Sequence, residues 1–95
     1  MTAEDVKRRV EADIRERTAN QFGWDFRPFM LPIPIRAEYA DWNGRSISLW
    51  TVLVESDVRT GYHVVFDPEA RSFGLATSGV WIGNYGSFAD ALDAM

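Results

Sequence analysis

His63 is the single histidine of this chain. Imidazole is the one side chain whose ordinary titration falls near neutral pH, so proton chemistry would begin there. A general base also needs an acid to orient it and a cleft beside it. Asp67 lies four residues on, which in an extended strand is roughly 13 Å, beyond direct contact. Glu55 is the better partner if the flanking strands form a tight hairpin. Tyr62 and Tyr85 would then complete a pocket between a sheet and the glycine-rich stretch 79–86. Within that stretch, Gly83-Asn84-Tyr85-Gly86-Ser87 offers backbone N–H groups at a helix start, an arrangement that attracts anions. It lacks the lysine and spacing of a phosphate loop. Asp90 and Asp93 in the helix behind it already complement the dipole.

Other chemistries find less. The chain has no cysteine, so a thiol nucleophile, a disulfide framework and thiolate metal sites are excluded. With one histidine, a metal site would have to be built from carboxylates, and Asp57, Asp67, Glu69, Asp90 and Asp93 match no calcium loop. No metal or cofactor is expected. No serine sits in a Gly-x-Ser-x-Gly elbow, and Ser87 reads as a helix cap. A second candidate is a recognition patch. Trp42 falls at a hairpin tip, where packing partners are few, and tryptophan is enriched at binding hot spots. Arg45 and Arg36 flank it on the neighbouring face.

Charge limits the partners. The net charge is −4, and it is unevenly placed. Acids and bases cancel over residues 2–21, whereas residues 22–95 hold five arginines against nine acids. Nucleic-acid binding wants a basic face, so an acidic sheet argues against it. The charged amino end carries no apolar core of a secretory signal, and no apolar run is long enough to span a membrane. A cytoplasmic location is the expectation from these features.

The elements that must position these residues follow from periodicity. Ninety-five residues, 46% of them hydrophobic and 14% aromatic, suit one densely packed α+β domain over 1–95. Residues 2–22 read as a helix: Thr2-Ala3-Glu4-Asp5 is a capping pattern, Gly23 is a C′ glycine, and Val6, Val10 and Ile14 make an apolar stripe joined by Ala3 and Phe22. Acid-first pairs at i,i+4, such as Glu4–Arg8 and Asp13–Arg17, support it. A connector over 24–28 follows, with Arg27 extended before Pro28 and Trp24 and Phe26 closing the gap to the sheet.

Four strands are expected, over 29–41, 45–55, 62–67 and 72–78, as an antiparallel meander. The first contains Pro32 and Pro34, which share one flank and remove two donors from it, so that flank should be an unpaired sheet edge. This also decides the turn after it. A two-residue Asn43-Gly44 loop would aim both prolines at the second strand. A three-residue loop, with Asp41 paired to Arg45 and Gly44 left-handed, turns them outward, and is preferred. The second strand is apolar on both faces, with Ile47, Leu49 and Leu53 against Trp50, Val52 and Val54, so both faces need cover. A polar loop is read over 57–61, a proline turn at Asp67-Pro68, and an aromatic bend over 79–86. Ser87-Phe88-Ala89-Asp90 caps a short closing helix with Phe88, Ala91, Leu92 and Met95 on one side. Too short to cover the second face, that helix leaves apolar surface for a homodimer to bury.

The function read from the sequence is therefore a small non-catalytic interaction module, acting by self-association or on a protein partner. The alternative is a ligand-binding or enzymatic domain whose pocket holds His63, Glu55, Tyr62 and Tyr85.

Overall fold

A computed structural model describes residues 1–15, 17–55 and 61–95. Helix α1 (Ala3–Ile14) is capped as its sequence dictates: Thr2 accepts from the Asp5 amide, and Asp5 returns a bond to the Thr2 amide. A single 3-10 turn at Arg27–Phe29 leads into five strands and a closing helix. These are β1 (Met30–Ala40), β2 (Ser46–Val54), β3 (Tyr62–Asp67), β4 (Ser72–Thr77), β5 (Val80–Gly86) and α2 (Phe88–Ala94). The α+β class holds, with five strands in place of the expected four. The order β1-β2-β3-β4-β5 is antiparallel throughout. The sheet then curls until β5 meets β1, at one parallel bridge between Ala40 and Val80.

The extra strand corrects the bend expected over 79–86. Ser78 and Gly79 both take positive φ, 53° and 77°, which makes a two-residue hairpin turn whose twist suits flanking strands. Thr77 then pairs with Val80, and β5 runs back along β4. The β1–β2 turn has the preferred three-residue form. Asp41 N donates to Arg45 O at 2.8 Å, Gly44 N to Asp41 O at 3.0 Å, and Gly44 has φ 76°. The Asp41 carboxylate takes the Asn43 and Arg45 amides at 2.8 and 2.9 Å. The polar loop expected over 57–61 lies, Gly61 apart, outside the described residues.

Helix α1 stops well short of the expected 22. Arg15 takes φ 52° and ends it. The chain beyond is claimed by α2 rather than by more helix. Arg17 pairs with Asp93 at 2.6 Å, and the Gln21 amide donates to the same carboxylate at 2.9 Å. Asp13, expected to pair with Arg17, instead accepts from the Phe88 amide at 2.8 Å. Arg27, expected to be extended, enters the 3-10 turn, held by a two-pronged guanidinium contact to Asp25 at 2.9 and 2.8 Å.

Both faces of β2 are covered, each by a separate core. On one face lie both helices. Val6 and Val10 of α1 and Phe88, Ala91 and Leu92 of α2 pack with Phe26, Val52, Leu53, Val64, Phe66, Phe73 and Leu75. Aromatic rings knit this layer: Phe66–Phe73 centroids are 4.7 Å apart, and Phe88 sits edge-on to Phe73 and Phe26 at 5.6 and 6.0 Å. A register break between Thr51 and Leu53 turns Val52 and Leu53 both toward the helices, against the strict alternation expected of β2. The other face carries Tyr39, Leu49, Val65 and Ala76, flanked by Ala37, Ile47 and Trp81. Its cover is the curled sheet itself. The closing helix thus joins α1 on the first face instead of shielding the second, and β2 is enclosed within one chain.

The β1–β2 register also breaks, between Met30 and Ile35. Five steps on β1 face two on β2 (Leu53 to Thr51), so the proline stretch bows out of the ladder. Pro34 is buried there, while Ile33 and Ile35 are 53% and 59% exposed.

Candidate functional site

His63 lies on the face of β3 opposite the helices. Its Nδ1 is 3.0 Å from the Tyr39 hydroxyl, which is 2.5 Å from Thr51 Oγ1. The Tyr39 and His63 rings meet edge-on at 6.1 Å. Tyr39 and Thr51 are both buried. Burial lowers the His63 pKa below its ordinary value and raises that of the Tyr39 phenol, with the Thr51 hydrogen bond opposing the latter. A half-buried imidazole whose neutral form is favoured, bonded to a buried hydroxyl pair, fits a structural histidine. Its hydrogen bond and its ring contact are both to Tyr39 and not to Tyr85. Tyr39 and Thr51 escape sequence reasoning because Tyr39 pairs with Ile47, four positions along β2 from Thr51.

The expected pocket is therefore divided. Adjacent strand residues face opposite ways, so Tyr62 points to the helix side and His63 away. The Glu55 amide donates to Tyr62 O at 2.9 Å, which places Glu55 and Tyr62 side by side. They share a recess of about 240 Å³ with Asn20, Phe22, Trp24 and Met95. Tyr85 is 43% exposed, near the far end of β5.

Asn84 is a structural bridge. It accepts from Trp81 Nε1 and donates to the Asp67 carboxylate, both at 3.2 Å. The anion cradle expected around it is filled from within. The Gly86 amide donates to Ser72 Oγ at 3.0 Å, Ser87 to Asp90 at 3.0 Å, Phe88 to Asp13 at 2.8 Å and Asp90 to Ser87 Oγ at 3.1 Å. Two carboxylates already occupy the space an anion would need.

The Trp42 patch also separates. Trp42 is 71% exposed, and its indole N–H donates to Ile82 O at 3.1 Å, laying the hairpin tip along β5. Arg45 is exposed at the same tip. Arg36 pairs across from Trp50, five positions up β2 and about 17 Å from Arg45 at ~3.3 Å per residue. There its guanidinium lies 5.2 Å over the Trp50 ring, and its Nε donates to Ser48 Oγ at 2.6 Å.

What remains open is the outer flank of β1. Asp41 and Arg45 are a bonded pair, so Tyr39, Ala37 and Ile35 also bond to β2, and Arg36, Glu38 and Ala40 turn their N–H and C=O groups outward. Ala40 N is taken by Gly79 O at 2.8 Å, in keeping with this parity. Between residues 30 and 38, β1 has β2 as its one strand neighbour among the described residues.

No protein-family model, no curated protein and no solved structure matches this chain. Among the described residues no cluster of three or more His, Cys, Asp or Glu is placed to hold a metal ion, and no helix is long and apolar enough to cross a membrane.

Proposed function

We propose that this chain is a non-catalytic interaction module that associates with a second copy of itself through the outer edge of β1. The observation that carries the reading is the outer flank of Arg36–Ala37–Glu38, which has no strand neighbour among the described residues and lies beside exposed Ile33 and Ile35. An edge strand is a template for another strand, and a short one next to prolines limits pairing to a defined length. Antiparallel pairing about a two-fold axis at Ala37 sets Arg36 opposite Glu38 of the partner subunit, and the reverse. Opposite charges facing each other across a ladder favour that register. Ile33 and Ile35 then border the junction with apolar surface.

Sedimentation velocity across the micromolar range tests this. The expected result is a shift from monomer toward dimer with rising concentration. Arg36→Glu should abolish the shift by placing like charges opposite, and Arg36→Glu with Glu38→Arg should restore it. A chain that stays monomeric at high micromolar concentration, or a charge swap that fails to rescue, would overturn the reading.

A further inference from the structure

The recess between the α1–β1 connection and the β2–β3 ends has a chemistry of its own. Its walls are Phe22, Trp24 and Tyr62, with Glu55, Met95 and Asn20 completing it. Among the described residues, three aromatic rings and an acid line it, and no lysine, arginine or histidine does. Aromatic faces carry negative quadrupole density and attract cations, most of all weakly hydrated organic ones. Among the described residues a hard metal ion would find one carboxylate there, too few ligands to hold it. At about 240 Å³ the recess is below the ~300–1,000 Å³ usual for drug-sized ligands, and suits a headgroup or side-chain tip.

The segment presenting the rings is built for its shape. Asn20 is 8% exposed, and its side-chain oxygen accepts from the Phe22 and Trp24 amides, both at 3.0 Å. Its side-chain nitrogen donates to Leu92 O at 3.3 Å, and its backbone N–H donates to Trp24 O at 2.9 Å. Gly23, with φ 82°, completes the turn. Trp24 is braced by stacking on Phe29 at 5.2 Å. Phe22, fixed by the same turn, is nevertheless 73% exposed. A phenylalanine held in a defined turn at the rim of an acidic, aromatic recess is placed to close on a ligand.

From this arrangement we infer that the recess binds an alkylammonium cation, either as a free quaternary ammonium compound or as a methylated lysine side chain. Two-dimensional NMR on the full chain tests it, following the Trp24 indole and Tyr62 amide resonances. Three probes are titrated: choline, Nε-trimethyl-lysine with blocked termini, and 3,3-dimethyl-1-butanol, the uncharged isostere of choline. The expected result is saturable shifts with at least one cation, roughly tenfold tighter than with the isostere. The tighter of the two cations identifies the source. Glu55→Gln and Phe22→Ala should each weaken cation binding several-fold while the remaining spectrum stays dispersed. Equal binding of the isostere would make the recess a plain apolar slot and overturn the inference. So would unmoved Trp24 and Tyr62 resonances with both cations at tens of millimolar, or Phe22→Ala and Glu55→Gln chains that bind as the native one does.

Discussion

The Tyr39 hydroxyl holds two partners at once, buried Thr51 and half-buried His63, and its removal isolates the effect of one oxygen. Tyr39→Phe should lower stability by about 1–3 kcal/mol in urea unfolding, because Thr51 Oγ1 loses its partner in a dry core. A Thr51→Val chain carrying the same change should recover part of that loss, since both ends of the bond are then apolar. His63 gives a pH signature. Its folded pKa is pushed by burial below the ordinary 6.5, so above pH 6.5 it is neutral folded or unfolded. As pH falls below 6.5 the unfolded chain takes up the proton first, and stability declines until the folded pKa is passed. The urea midpoint should therefore drop between pH 7 and pH 5.5, and His63→Gln should flatten that drop. Asp5, Asp25 and Asp93 do not confuse the window. Their hydrogen bonds to Thr2, Arg27 and Arg17 hold them below 3.8, with Asp25 at about 2. At this scale the sequence was a fair guide to helix caps and turn residues, where Thr2, Asp41, Asp67 and Ser87 act on neighbours a few positions away. It was a poor guide to Asn20, whose partners include Leu92, 72 residues on.

Among the elements, β5 depends on a contact no periodicity can reveal. A Cβ built on Gly74 would lie 2.2 Å from Gly83 O and 2.7 Å from Asn84 Oδ1. The β4–β5 pair thus needs a bare backbone at Gly74, which lets β5 lie close. Gly74→Ala should force the strands apart and cost about 1–3 kcal/mol, measured by chemical unfolding. Gly83→Ala is the control, since nothing stands within 4 Å of its added Cβ. Strands β3 and β4 were legible because their alternation is clean: Tyr62, Val64 and Phe66 face the helices, with Phe73 and Leu75 across from them. Strands β1 and β2 carry register breaks at Leu31–Pro34 and Val52, and a period-two reading fails at a bulge because parity changes there. Helix α1 was overextended for a different reason. Its heptad-like stripe runs on to Phe22, but docking of Arg17 and Gln21 on Asp93 outweighs the few tenths of a kcal/mol that each helical pair supplies.

On the scale of the molecule, the apolar excess of β2 was read as a demand for a second subunit. The curled sheet meets that demand internally, with Leu49 and Val65 fully buried on the helix-free face. The proposed self-association therefore rests on the β1 edge alone and not on a bare sheet face. The same folding-up scatters the residues first grouped as sites: His63 is turned toward Tyr39, Trp42 lies along β5, and Glu55 and Tyr62 join a recess with Trp24 instead. What sequence can give is each residue's strand and side. What it cannot give is how far the sheet bends, and that bend decides which sides meet.

Amide hydrogen exchange resolved by residue addresses the β1 edge most directly. Ile35, Ala37 and Tyr39 should be protected at every protein concentration, because their N–H groups are committed to β2. Arg36 and Glu38 should exchange quickly in dilute solution and slow as concentration rises and their outward N–H groups find a second strand. Fast exchange at Arg36 and Glu38 across the whole range would contradict the account.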